Sequence, residues 1–151
     1  MTIEKYKKSE SVAIITEQIR EIKTTYDLVR MKNYEIACEE NKNIIADMIM
    51  NINEFASISR KMGVAQIAET VNMLLEEFTN MTLQEYQFFF KKVKTGQFGQ
   101  LYESLDGIKI MAFLHEFYAE LLKSYKEMKM EPEYQRKIDQ GCRDIDTWVN
   151  Y

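Results

Sequence analysis

The fold is decided by the stretch Val64-Ala65-Gln66-Ile67-Ala68-Glu69-Thr70-Val71-Asn72-Met73-Leu74-Leu75-Glu76-Glu77-Phe78. Its apolar residues recur at positions i, i+3, i+4 and i+7, which is the spacing that places side chains on one face of an α-helix. These residues are Val64, Ile67, Ala68, Val71, Leu74, Leu75 and Phe78. The pattern predicts an amphipathic helix that packs its apolar face against other helices.

Two further helices are predicted on the C-terminal side of this stretch. Thr82-Leu83-Gln84-Glu85 has the form of a capping box, so a helix should begin there. Gly96 is placed to adopt a left-handed conformation that ends this helix after a basic last turn. Asp106 can cap the next helix, whose apolar positions extend from Ile110 to Met128 and indicate a central, well-buried element.

The N-terminal part predicts two more helices. The first, Glu10 to Met31, has apolar residues in a strict 3-4 spacing, which favours packing within the domain or, as the alternative, a coiled-coil seam. The second is expected from about Tyr34 to Ser59, with Asn51 and Asn53 marking fraying or a bend. Gly63 is placed to end whatever precedes it.

Composition agrees with a helical protein. The chain has 151 residues, of which 46% are hydrophobic and 29% charged, and it contains one proline, Pro132. Proline is the residue that most strongly breaks helices, so long helices can form before position 132. We therefore expect one all-α domain of five or six helices over residues 1–151, with its most secure core at 64–128.

Cysteine usage and hydropathy favour the cytoplasm. Cys38 and Cys142 belong to no metal-binding pattern and are expected to be free, buried thiols in a reducing compartment. The apolar run Val12-Ala13-Ile14-Ile15 is too short for a signal peptide, and no run approaches the ~18 apolar residues of a membrane span. No membrane partner is expected.

The residue types that support catalysis are sparse. His115 is the single histidine, and its place on a broad apolar helix face favours a structural role. The adjacent pair Glu76-Glu77 cannot share one site, because neighbouring helical residues point about 100° apart. The glycine spacing also excludes a P-loop. We expect no enzyme, no catalytic residue, no cofactor and no metal.

Binding is the remaining prediction, and it falls on a glycine-rich segment. Three of the five glycines lie at 96–107, and residues 91–109 carry four lysines in a chain of net charge −4. Lysines attract phosphate and aromatic rings stack on unpaired bases, so this segment is the candidate surface for a partner or nucleic acid. Its residues are Lys91, Lys92, Lys94, Gln97, Phe98, Gln100 and Tyr102. The alternative is that Phe98 and Tyr102 insert into the core and pin the loop.

The segment from about Ile58 to Phe117 contains short motifs in a distinctive order. The motifs are Gln66-Ile67, Glu76-Glu77-Phe78, the capping box at 82–85, Phe88-Phe89-Phe90, Lys94-Thr95-Gly96-Gln97-Phe98-Gly99-Gln100-Leu101-Tyr102 and Asp106-Gly107. This segment resembles a family of small, largely uncharacterised helical proteins from phages and mobile elements of gut bacteria. That family is loosely similar to helicase-loader and replisome-organiser accessory proteins.

The resemblance implies a non-enzymatic adaptor that acts as a DNA replication accessory protein of a mobile element. Its implied partners are another protein, such as a replicative helicase, and single-stranded DNA. The alternative is a structural or regulatory module that binds no nucleic acid and forms a homo-oligomer through its first helix.

Overall fold

The computed structural model describes residues 12–31, 35–55, 60–99 and 105–131. The described residues contain six α-helices and no named strand, which confirms the all-α prediction. In chain order the helices are α1 (12–18), α2 (Thr25–Val29), α3 (Lys42–Phe55), α4 (Val64–Glu77), α5 (Leu83–Lys94) and α6 (Gly107–Lys129). A 3₁₀ turn at Glu39–Asn41 directly precedes α3.

Helix α5 lies at the centre of the packing, the place that the sequence pattern assigns to α6. It begins at the predicted capping box, where the Glu85 amide donates to Thr82 Oγ1 at 3.1 Å and the Thr82 amide donates to Glu85 Oε1 at 2.9 Å. Every residue at 83–90 is buried, and α2, α3 and α6 all pack against this helix. A helix buried all round is the core element of a bundle.

Helices α4 and α6 form as the sequence predicts. In α4 the residues Ile67, Val71 and Leu74 are buried on one face. Helix α6 begins at Asp106, whose carboxylate accepts the Lys109 amide at 2.8 Å, and a single apolar stripe of this long helix packs against α2, α4 and α5. Gly96 has the predicted positive φ, 77°, after the last turn of α5.

The predicted continuous helix from Glu10 to Met31 is wrong. Helix α1 ends at residue 18, and α2 begins after Thr24, whose hydroxyl accepts the Asp27 amide at 3.1 Å. The apolar stripe nevertheless faces inward: Ile15 and Ile19 are each 1% exposed, within the chain itself. Spacing alone identified the buried face and missed the break.

The predicted helix from Tyr34 to Ser59 begins too early. Residues 35–37 pair with residues 81–83 at the start of α5, with an antiparallel bridge between Ile36 and Thr82. Asn53 marks no bend: its side chain is buried, donates to the Met62 carbonyl at 3.0 Å and accepts the Met62 amide at 3.2 Å. Gly63 precedes α4 as its N-terminal cap, with φ −80°.

One cysteine differs from the sequence prediction in its exposure, and other predictions fall outside the described residues. Cys38 is free but exposed, whereas burial was predicted. Cys142 and the segment after Pro132 lie outside the described residues. Among the described helices, none combines the length and the low polarity that crossing a membrane requires.

Candidate functional site

Three polar side chains of α5 form a stripe that faces α1. Gln84, Gln87 and Lys91 are spaced i, i+3 and i+7, so they share one side of the helix. Gln84 Nε2 donates to Gln18 Oε1 at 3.1 Å, and Gln87 Nε2 donates to Thr16 Oγ1 at 2.9 Å. The stripe positions α1 on α5 through hydrogen bonds as well as through apolar contact.

Lys91 closes the C-terminal end of α1. Its ammonium donates to the backbone carbonyls of Ile19, Ile22 and Arg20 at 3.3, 3.0 and 3.2 Å. Carbonyls at a helix C-terminus lack partners within the helix, and a lysine that reaches them also complements the helix dipole. The first of the predicted binding lysines is therefore committed to a contact inside the fold.

Lys92 and Gln97 contact each other at the end of α5. Lys92 Nζ donates to Gln97 Oε1 at 3.1 Å and lies 5.1 Å from the centre of the Phe88 ring. The contact joins the last turn of the helix to the loop that follows it. The hydrogen bond uses one of the three N–H groups of the ammonium and holds Lys92 against the loop.

Lys94 lies on another side of the helix. Its ammonium is 5.2 Å from the centre of the Phe55 ring, at the last residue of α3. Partial burial lowers the pKa of the Lys94 ammonium. No carboxylate lies within ion-pair distance of this ammonium in the described part of the chain. Lys94 therefore carries a partly desolvated charge beside an aromatic ring.

Phe98 packs inward, which is the alternative that the sequence left open for this residue. Its ring centre is 5.7 Å from those of Phe89 and Phe113 and 6.5 Å from that of Phe117. Aromatic pairs at these separations stabilise packing. The remaining predicted residues, Gln100 and Tyr102, lie outside the described residues.

The fold thus separates the predicted lysines rather than gathering them. Positions 92 and 94 are about 200° apart around a helix of 3.6 residues per turn, so their side chains leave α5 on opposite sides. Lys94 instead lies against Phe55, and Arg60 and Lys61 are exposed cations of the segment that follows α3. The pair of hydrogen bonds between Asn53 and the Met62 backbone holds the 60–62 segment beside the last turn of α3. We call Phe55, Arg60, Lys61 and Lys94 the aromatic–basic surface.

Sequence reasoning missed three members of this surface. Phe55 fits the apolar stripe of α3, so spacing predicts burial, yet its side chain is 63% exposed. Arg60-Lys61 is an adjacent basic pair just beyond that helix, and this was the available signal. Glu54, next to Phe55 in the chain, is exposed. The carboxylate of Asp106 already accepts the Lys109 amide.

A buried carboxylate lies at the other end of α5. Glu85 is 0% exposed, accepts the Thr82 amide and accepts the Tyr125 hydroxyl. Burial raises the pKa of Glu85 to about 7, against the hydrogen bonds from Tyr125 and Thr82, which favour the charged form. An enclosed carboxylate cannot reach a substrate, so this group holds α5, its cap and α6 together.

Two other polar groupings are on the surface. His115 is about half exposed, contrary to the buried setting expected for it, and its Nε2 is 2.9 Å from Glu77 Oε1. An open groove of about 810 Å³ between the start of α3 and α4 contains Cys38 and the Glu39–Lys42 ion pair, in which the two charges are 2.7 Å apart. Within the described ranges, no group of three His, Cys, Asp or Glu side chains could hold a metal ion.

Comparison of the chain with models of protein families, with curated proteins and with solved structures finds no match. Among the described residues, the aromatic–basic surface combines an exposed ring with basic side chains that form no ion pair with a described carboxylate.

Proposed function

We propose that the protein is a non-enzymatic adaptor of DNA replication that contacts single-stranded DNA through the aromatic–basic surface. The observation that supports the proposal is the setting of Lys94. Its ammonium is partly desolvated, lies against the Phe55 ring and has no carboxylate partner among the described residues. A phosphate would supply the missing counter-charge.

Electrostatics favours this surface as the contact. The chain has a net charge of −4, so most of its surface repels a polyanion. Arg60, Lys61 and Lys94 form a local exception, and no carboxylate pairs with them within the described residues. Binding through a few lysines and arginines releases counter-ions from the nucleic acid and therefore weakens as salt rises. A helicase partner is an expectation from the resemblance alone.

The test measures binding of a fluorescein-labelled oligodeoxythymidine by fluorescence anisotropy over a range of salt concentrations. In the double variant Lys61→Gln, Lys94→Gln, we expect weaker binding at low salt. Its slope of log K against log salt should be smaller by about 1.4, because each phosphate contact to a single strand contributes about 0.7. Glutamine keeps most of the side chain and removes only the charge.

The matched control is Lys123→Gln, Lys126→Gln on α6. Both lysines are exposed, and Lys123 is about 24 Å along the helix from Gly107, at 1.5 Å per residue. This control should keep the wild-type slope. Absence of salt-dependent binding in the wild type, or an equal loss in the control and the test variant, contradicts the proposed function.

A further inference from the structure

The exposed aromatic ring at the end of α3 stands apart from the other rings of the molecule. Among the described Phe, Tyr and Trp side chains, Phe55 is the one in the exposed class, at 63%. A scattered exposed apolar residue is ordinary in a soluble protein. Phe55 differs because a lysine ammonium that pairs with no described carboxylate lies over its ring, 5.2 Å from the ring centre.

From this juxtaposition we infer that Phe55 is the platform on which an unpaired nucleobase stacks, with Lys94 binding the adjacent phosphate. The inference rests on the proposed function and adds to it the residue that selects single-stranded over double-stranded DNA. A nucleotide combines a flat π-face with an anionic phosphate a few ångströms away. The ring and the ammonium present the complementary pair of groups at a similar separation.

Stacking explains why single strands are favoured. Bases within a duplex are already stacked on one another, so their faces are not accessible to a side chain without unstacking. A single strand offers free faces, and stacking of a base on an aromatic ring tolerates any sequence. Cations alone would bind both forms of DNA, whereas an exposed ring beside them favours the unpaired form.

We assign to Phe55 the stacking role that the sequence predicts for Phe98. Phe98 is packed among Phe89, Phe113 and Phe117, so moving it to a ligand would disrupt these contacts. Phe55 can accept a base with little loss of core packing, because the residue is 63% exposed. The Lys94 ammonium lies over one face of its ring, so the base stacks on the other face. Charge complementarity favours a nucleic acid over an apolar protein surface as the occupant, since Lys94 lies at the ring. The exposed cations Arg60 and Lys61 belong to the segment that the Asn53–Met62 hydrogen bonds hold beside the last turn of α3.

The experiment uses the full chain and an oligodeoxythymidine that carries one 2-aminopurine, whose fluorescence falls when the base stacks. For Phe55→Leu we expect single-strand affinity to fall by about 5- to 100-fold, the range for losing one base–aromatic stack. The salt slope should stay at its wild-type value, because no charge is removed. The fluorescence decrease on binding should be lost, and affinity for a duplex of the same length should not change.

Phe55→Trp should restore both the affinity and the fluorescence decrease, since tryptophan supplies another aromatic face. Met130→Ala is the control for loss of an exposed apolar side chain, as Met130 is 84% exposed beyond the far end of α6. It should bind as the wild type does. Circular dichroism of each variant confirms that the helices are retained.

The outcomes separate this inference from the proposed function. If the wild type binds single strands with a salt dependence that Lys61 and Lys94 control, but Phe55→Leu binds equally well, the stacking inference is overturned and the proposed function stands. Equal losses of single-strand and duplex affinity in Phe55→Leu also overturn it. If the wild type binds no single strand at all, both fail, and a protein partner becomes the occupant to test.

Discussion

Polar side chains at the two ends of α5 have opposite environments. At the N-terminal end, Glu85 is fully buried and its oxygens accept hydrogen bonds from Thr82 and Tyr125. At the C-terminal end, Lys94 is only partly covered and has an aromatic ring as its neighbour. A buried polar group costs free energy unless it is hydrogen-bonded, so satisfied groups indicate architecture and unsatisfied charges near the surface indicate a binding role.

Lys91 and Lys94 both lie in the last turn of α5, but their ammonium groups have different neighbours. The Lys91 ammonium donates to three carbonyls near the end of α1, whereas Lys94, three residues later, lies against Phe55. One charge is used inside the fold and the other is available to an external anion. Substitutions at Glu85, Lys91, Lys94 and Gln87 test this division.

Removing the carboxylate of Glu85 should destabilise the fold most. Glu85→Ala removes the acceptor that both the Thr82 amide and the Tyr125 hydroxyl use, and it opens a cavity in the core. We expect the free energy of unfolding to fall by about 4 kcal/mol, from the loss of a helix cap together with the desolvation of polar groups. Urea unfolding followed by circular dichroism measures the change. Glu116→Ala, at an exposed position of α6, should change stability by less than about 0.5 kcal/mol.

Stability should also depend on pH through Glu85. Burial raises the pKa of this carboxyl in the folded state from 4.5 to about 7. Between these values the folded protein binds a proton that the unfolded chain has released, so the contribution is full below pH 4.5 and is lost as the pH rises through about 7. The loss is up to about 3 kcal/mol.

The measurement for this pH dependence is urea unfolding at pH 5 and pH 8 in the wild type and in Glu85→Gln. Glutamine cannot titrate but can still accept a hydrogen bond from the Thr82 amide. The stability of the wild type relative to Glu85→Gln should therefore fall by roughly 2 to 3 kcal/mol between pH 5 and pH 8. A constant difference would show that Glu85 is already ionised in the folded protein at pH 5.

A pair of lysine substitutions compares the two roles directly. Lys91→Met removes three hydrogen bonds to the carbonyls after α1 and should cost about 2 kcal/mol, the range for hydrogen bonds to a charged group. Lys94→Met should leave stability within about 0.5 kcal/mol or raise it, because methionine carries no charge to desolvate. Urea unfolding of the two variants under identical conditions tests this, and equal losses would contradict the division of roles.

A smaller effect is expected at Gln87 than at Glu85 or Lys91. Its Nε2 donates to Thr16, but its Oε1 is buried and has no hydrogen-bond partner in the described part of the chain. Gln87→Met removes the unsatisfied oxygen together with one hydrogen bond, so stability should change by less than about 1 kcal/mol in either direction. Gln84→Met is the matched comparison and should cost more, because Gln84 Oε1 accepts the Glu35 amide at 2.9 Å.

Much of the fold could be predicted because its signals are local. The capping box at 82–85, the cap at Asp106 and the left-handed Gly96 all act within a few residues, and the structure confirms each of them. Much less of the candidate surface was predictable. Lys94 was named, but its partners Phe55, Arg60 and Lys61 come from a different helix and the segment after it, and no spacing rule connects residues so far apart in the chain.

Periodicity and capping in the sequence establish the helical class, the start and end of α4, α5 and α6, and the buried face of α4, since both depend on near neighbours. The end of α1 depends on tertiary contacts, because the carbonyls after it are bound by Lys91, about 70 positions later. Tertiary pairing with 81–83 likewise keeps residues 35–37 out of a helix. The tertiary structure also leaves Phe55 in solvent beside Lys94. In each case the outcome depends on which distant group satisfies a backbone atom or covers a ring, and the local sequence does not specify that group.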